Sequence, residues 1–227
     1  MERVYVFFDG QNVFYGAKQA FGYAEPNYDP VALAIELVSL RPNAQLIRLY
    51  FYTGIHSYRK DPKWNVFWNN KLRAIRREGD IRLGRGNTIT YSRPLIYHDE
   101  VARDNAGNVV LNSSDGTAKV VPKGREKGID LRLGLDVVRL ANTRDYDVAM
   151  VVSQDTDYTE VVEEVEFIST QQKRRIAVVS ASPRNAKGKF GIPFTAGIEI
   201  TKVIYDRCLD PHTPSYYPSR PGPLFPP

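Results

Sequence analysis

The run Val4-Tyr5-Val6-Phe7-Phe8 is apolar and aromatic throughout and stops abruptly at Asp9-Gly10. A strand wetted on one face alternates apolar with polar side chains, so an unbroken run predicts a strand covered on both faces and entering a tight turn. Asp147 to Val152 repeats the pattern and ends at Ser153-Gln154-Asp155-Thr156-Asp157. Strands buried on both faces belong to parallel sheets, whose crossovers lay helices on either side. Two such strands therefore each deliver carboxylates at their carboxyl ends.

Helical and strand-like segments alternate around them. Gln11 to Gln19 and Pro30 to Leu40 have helical character, the second with Asp29-Pro30 as cap and first-turn proline. Gln45 to Tyr52 predicts the second strand. Asp61-Pro62 opens a helix through Arg77, which Glu78-Gly79-Asp80 is expected to break before a strand-like stretch from Ile81 to Tyr91. Ile129, Leu133, Val137 and Leu140 share one face of a helix over Lys127 to Ala141. A further helix begins near Asp157, Arg175 to Ser180 supplies a fifth strand, and Ile198 to Ile204 a sixth element. This βαβ alternation predicts an α/β, Rossmann-like fold with a mostly parallel sheet flanked by helices.

Residues 92–125 carry turn signals at Asp104-Asn105-Ala106-Gly107-Asn108 and Ser114-Asp115-Gly116, with β-branched residues between, and predict an inserted β-hairpin. Seven of the 15 prolines lie between Pro211 and Pro227. That density opposes regular structure and predicts an extended proline-rich C-terminal tail, able to dock on the domain or on a protein partner. The expected organisation is one domain over 1–206 and a tail over 207–227. A chain of 227 residues that is 42% hydrophobic can bury one such core.

The apolar run before Asp9 is too short for a secretion signal, and no later run reaches membrane-spanning length. The expectation is a cytoplasmic protein with no membrane partner. Cys208 is the single cysteine, and His56, His98 and His212 are scattered, which removes disulfides and zinc-finger spacing. The net charge is +5, with basic residues grouped at Arg73, Arg76 and Arg77, at Arg82 and Arg85, at Lys123, Arg125 and Lys127, at Lys173, Arg174 and Arg175, and at Arg184, Lys187 and Lys189. Such grouping favours a polyanionic partner, although any one group also reads as a solvated face.

In open parallel sheets the loops after the strands converge on one crevice. Asp9 and Asp155 are placed to meet there, and Asp130 lies in the first turn of its helix. Carboxylates facing one point repel one another, and a divalent cation is the economical remedy. An oxygen-only donor set without nearby Cys or His favours Mg²⁺ or Mn²⁺ over Zn²⁺, the chemistry of phosphodiester cleavage.

Phe8-Asp9-Gly10-Gln11-Asn12, Lys127-Gly128-Ile129-Asp130 and Val152-Ser153-Gln154-Asp155-Thr156-Asp157-Tyr158 resemble the motifs of NYN domains, in the same order. These belong to the PIN-like nuclease superfamily, and the LabA-like bacterial subgroup is the most similar. The resemblance spans Arg3 to Ser180. It implies a Mg²⁺- or Mn²⁺-dependent ribonuclease with Asp9, Asp130 and Asp155 as the acidic centre and Asp157 as an auxiliary ligand. It further implies that Asn12 orients a metal-bound water or phosphate and that hydrolysis leaves a 5′-phosphate. Lys127 and Arg125 are candidate phosphate contacts, and Ser153 a support for Asp155. RNA is the expected partner, single-stranded DNA is not excluded by any feature of the chain, and a homo-oligomer stays open.

Other readings compete. Asn12 and Asp157 also suit helix caps, Asp157 being the expected cap of the two acids in its loop. Asp136 lies about 240° around an ideal helix from Asp130 and is expected to be structural. Trp64, Trp68, Tyr52 and Tyr58 are candidate base-stacking groups, with core packing favoured for most. A non-catalytic nucleic-acid-binding module is the main alternative. An aspartate-nucleophile phosphatase wants an acid two residues after Asp9, where Gln11 stands.

Overall fold

The computed structural model describes residues 1–104, 106–184, 188 and 190–218. In chain order these form β1 (Glu2–Asp9), α1 (Gly10–Phe21), α2 (Pro30–Ser39), β2 (Ala44–Ile55), α3 (Pro62–Arg82), β3 (Thr88–Pro94), β4 (Ile96–Val101) and β5 (Val120–Arg125). There follow α4 (Ile129–Asn142), β6 (Val148–Val152), α5 (Thr159–Gln171), β7 (Ala177–Ser182), β8 (Ala196–Glu199) and α6 (Lys202–Arg207). Six strands form one sheet in the order β3-β2-β1-β6-β7-β8, with every neighbouring pair parallel.

The unbroken apolar strands are covered on both faces, as their sequence requires. Val4, Val6 and Phe8 point into a core with α1, α2 and α3, joined by Tyr205 and Cys208 near the C-terminus. Tyr5 and Phe7 point the other way, against Ile129, Leu133 and Val137 of α4 and Val162, Val165 and Ile168 of α5. The chain runs outward from β1 to β2 and β3, then crosses to β6 and runs outward to β7 and β8. The carboxyl ends of β1 and β6 therefore meet where the winding reverses, which is where such sheets open a crevice.

The insert is an antiparallel ribbon: Ile96 of β4 faces Arg125 of β5, Val101 faces Val120, and bridges at Arg103 with Val109 and Leu111 with Ala118 extend it.

Three expectations need correction. Glu78-Gly79-Asp80 does not end the helix; α3 continues to Arg82, and β3 begins only at Thr88. Gly79 is buried at a close approach of helix to strand, where a Cβ would lie 1.8 Å from Thr88 Oγ1. Its missing side chain serves packing, and the turn falls to Gly84 with φ of 90°. The segment Ile198 to Ile204 straddles the end of β8 and the start of α6.

The tail is not extended from residue 207 onward. Leu209 bridges to Tyr28, and Thr213–Tyr216 forms a short 3₁₀ turn with Pro214 in its first positions, where a proline's missing N–H costs nothing. Tyr216 and Tyr217 pack on Phe67. Residues 219–227, like Asn105, Lys187 and Lys189, lie outside the described residues.

Of the aromatic candidates, Tyr52 and Trp68 are core residues, Trp64 packs among Phe14, Phe67 and Tyr217, and Tyr58 is exposed. Among the described residues no helix is long and apolar enough to cross a membrane.

Lys71 of α3 is wholly buried beneath the C-terminal segment. Its ammonium donates to the Tyr28 carbonyl at 2.7 Å and to Asp210 Oδ2 at 3.4 Å, and burial pulls its pKa down to about 8 against the opposing pull of Asp210.

Two outcomes follow from this packing. Gly79→Ala is expected to destabilise the fold by about 1–3 kcal/mol in urea unfolding, since the helix must be forced off Thr88; unchanged stability would contradict the close approach. For Lys71, the unfolded chain keeps the proton up to the ordinary value of 10.5, so folding is opposed by a buried charge below pH 8 and relieved as pH rises toward 10.5. Wild type should gain up to about 3 kcal/mol relative to Lys71→Met across that window. A flat difference would place the ammonium in water.

Candidate active site

Asp9 is the last residue of β1 and the N-cap of α1: its Oδ1 accepts the Asn12 backbone N–H at 3.0 Å. Only 4% of it is exposed. The Ser153 hydroxyl lies 3.4 Å and the Tyr158 hydroxyl 3.5 Å from Asp9 Oδ2. The same Tyr158 hydroxyl lies 3.4 Å from Asp130 Oδ1, so one phenol is within reach of both carboxylates.

The loop after β6 is tied to this corner. Ser153 is fully buried, and its Oγ accepts the backbone N–H of Asp155 at 3.1 Å. Asn12 does not cap α1. Its Oδ1 accepts the backbone N–H of Gln154 at 3.0 Å and so staples the β1 turn to the β6 loop. The capping duty in that loop falls to Asp155, whose Oδ1 accepts the Asp157 N–H at 3.0 Å; the expectation that Asp157 caps is corrected. A 3₁₀ turn over Thr156–Tyr158 then brings Tyr158 back under the acids.

Electrostatics marks the same place. Burial pushes Asp9 up to about 7, with Asp130 and Asp155 adding repulsion and the Asn12 N–H opposing it. Partial enclosure raises Asp130, and Asp155 adds to that shift. A fourth acid, Glu126, stands one turn of chain before Asp130. Burial pushes it up to about 8, again with Asp9 and Asp130 contributing, and its Oε1 is buried with no hydrogen-bond partner among the described residues.

Neither Glu126 nor Tyr158 stands out by periodicity. Glu126 lies between the end of β5 and Gly128, whose φ of 76° leads the chain into α4, so its inward position depends on how these elements are joined. A carboxylate directly before a Lys-Gly turn was the available signal.

Asp136 is apart from the centre, buried under Tyr52 and paired with Arg132 and Arg139. Lys127 is exposed. Arg125 and Lys123 both pair with Glu100 across the ribbon. Asp9, Glu126, Asp130 and Asp155 thus surround one crevice without closing on one point: among the described residues no three Asp, Glu, His or Cys side chains form a ready metal cage. The donors are all oxygens, which suits a hard cation.

No curated protein matches the chain. A solved structure of a protein of unknown function from Vibrio parahaemolyticus is similar over 88% of this chain and 94% of that one, at 19% identity and a TM-score of 0.47. The NYN domain family matches residues 3–189, which takes in β1, both strands of the ribbon, α4 and the β6 loop together with every acid of the crevice. The chain belongs to the NYN domain family, and its parallel sheet flanked by helices is a PIN-like fold.

Proposed function

We propose that this chain is a cytoplasmic, Mg²⁺- or Mn²⁺-dependent ribonuclease that hydrolyses phosphodiester bonds of single-stranded RNA. Within its family we assign it to the LabA-like bacterial subgroup, on the resemblance of the three motifs. The observation that carries the nuclease reading is the gathering of four carboxylates at the meeting of β1 and β6, where Asp9, Glu126 and Asp130 are all held above the ordinary carboxylate range.

Such a cluster is costly to ionise unless a cation shares it. The buried, unpartnered Oε1 of Glu126 fits that need. Mg²⁺ commonly takes one or two carboxylates and keeps several waters, so an open ring of acids suits it better than a closed cage would. One or two of Asp9, Asp130 and Asp155 would hold the ion directly and the rest through its waters, with Glu126 and Asp157 at its edge. When bound, the ion supplies an activated water and stabilises charge on the departing oxygen.

The protein's own part is positioning. The Asn12 N–H and the Ser153 hydroxyl fix Asp9, and Ser153 also fixes the backbone of Asp155. The Tyr158 hydroxyl lies between Asp9 and Asp130 and relieves their repulsion by donating to either one. The Asn12 side chain holds the two loops in register.

Beside Asp130 and Tyr158 opens a groove of about 470 Å³ between α4 and α5, walled by Leu131, Leu135, Val138 and Val161. An apolar wall next to the acids suits an unpaired base, which favours a single strand over a duplex.

Purified protein is expected to cut single-stranded RNA with Mn²⁺ or Mg²⁺, and Asp155→Asn to cut at least about a hundredfold more slowly while melting as a folded protein. Equal cutting in chelator, or by the variant, would refute the mechanism.

A second outcome separates metal binding from turnover. Asp9 in the folded chain titrates near 7 against an ordinary 3.8, so the unfolded chain releases its proton first and metal-free stability falls as pH rises between those values. Asp9→Asn should therefore be more stable than metal-free wild type at pH 8, by roughly 2–4 kcal/mol in urea unfolding, and equal to it near pH 4. Mn²⁺ should raise the melting temperature of wild type more than that of the variant, and an equal rise would remove Asp9 from the metal site.

A further inference from the structure

The geometry points to Arg93 as the side chain that grips an RNA phosphate neighbouring the one to be cut, an inference that rests on the nuclease reading above.

Arg93 lies at the carboxyl end of β3. Tyr52 of β2 is in register with Asp9 on one side and with Tyr91 on the other, so the three mark one level across the sheet. Side chains two apart on a strand share a face, and Arg93 is two residues beyond Tyr91. It therefore stands on the α4 side of the sheet, one step above the level of Asp9 and toward the open crevice.

Its guanidinium is aimed at the start of α4. A Cβ on Gly128 would lie 2.7 Å from Arg93 Nη1, so the arginine fills the space that any other residue at 128 would take, two positions before Asp130. Arg93 Nε donates to the Tyr91 hydroxyl at 2.8 Å, and Arg132 stands over the Tyr91 ring at 4.9 Å. These contacts hold the stem and leave both terminal nitrogens without a hydrogen bond among the described residues. A planar pair of free N–H groups in fixed orientation matches the two oxygens of a phosphodiester.

Four of the neighbouring cations are engaged by acids, while Lys127 is exposed with no carboxylate partner among the described residues. Lys123 and Arg125 pair with Glu100, and Arg132 and Arg139 pair with Asp136. Arg93 has no carboxylate partner among the described residues, although it packs against Gly128, two positions before Asp130. A positive charge at that rim would let a polyanion approach acids that otherwise repel it.

The test measures binding of a labelled oligouridine to the non-cutting Asp155→Asn protein in Mg²⁺ across a range of salt. Arg93→Gln, added to that background, is expected to weaken binding about tenfold and to reduce the slope of log K against log salt by about 0.7, the loss of one single-strand phosphate contact. Arg93→Lys should restore the slope but not the full affinity, since the charge returns without the fork. Lys123→Gln, which removes a cation held by Glu100 on the ribbon rather than at the start of α4, should leave the slope nearly unchanged.

An unaltered slope in Arg93→Gln would overturn the assignment, as would an equal drop for Lys123→Gln, which would mark an effect of net charge alone. A lowered melting temperature with an unaltered slope would make Arg93 only a brace for Tyr91 and Gly128. Wild type that neither cuts nor binds the strand would overturn the nuclease reading as well; wild type that cuts, with no change of slope on Arg93→Gln, overturns this inference alone.

Discussion

A carboxylate at the end of a strand covered on both faces cannot escape to water, and that confinement of Asp9 organises this molecule. β1 is sealed by α1 to α3 on one side and by α4 and α5 on the other. Its terminal aspartate must then find donors locally or remain protonated. It finds the Asn12 N–H, with the Ser153 and Tyr158 hydroxyls close by, and these bind the starts of α1 and α5 and the β6 loop to one corner. The cost left over, from burial first and from mutual repulsion second, raises Asp9, Glu126 and Asp130 and is destabilising for the apo fold. A site that costs stability in this way is what a cation-dependent function would retain.

Much of this could be read from residues alone because the signals were local and redundant. An apolar run ended by an acid gives strand, burial and site position together, and it occurs at both Asp9 and Asp155. Where a residue's role depends on what packs against it, the sequence misled. Gly79 carries a helix-breaking signal, yet its backbone is needed bare only because Thr88 presses on it from the next strand. Glu126 looks like one more surface charge until the fold encloses it beside Asp9 and Asp130. Asp155 and Asp157 share the same local grammar, and only the 3₁₀ turn decides which of them caps.

The C-terminal segment illustrates the same limit at larger scale. Proline density correctly opposes long regular elements, but it says nothing about docking. Here Lys71, a cation in the core, provides the anchor: it is satisfied only when the Tyr28 carbonyl and Asp210 close over it, so residues beyond α6 become part of the domain rather than an appendage. Phe67 and Trp64 supply the apolar seat for Tyr216 and Tyr217.

The distribution of charge constrains the proposed substrate more tightly than the net charge does. Several basic groups are tied to specific acids: Arg174 to Asp147, Arg184 to Glu199, Arg82 to Asp29, and Lys123 and Arg125 to one shared carboxylate, Glu100. A paired arginine adds little to a long-range field once salt screens it. On the proposed reading, the field that a nucleic acid would meet is set mainly by cations with no ion pair among the described residues, and beside the acidic crevice these are Lys127 and Arg93, the latter held in place by a tyrosine below it and a glycine beside it. Attraction at the rim and repulsion at the centre then become separate features, carried by different strands of one sheet. An approaching strand would be drawn in at β3 and would meet the acids of β1 and β6 only where a cation has already balanced them.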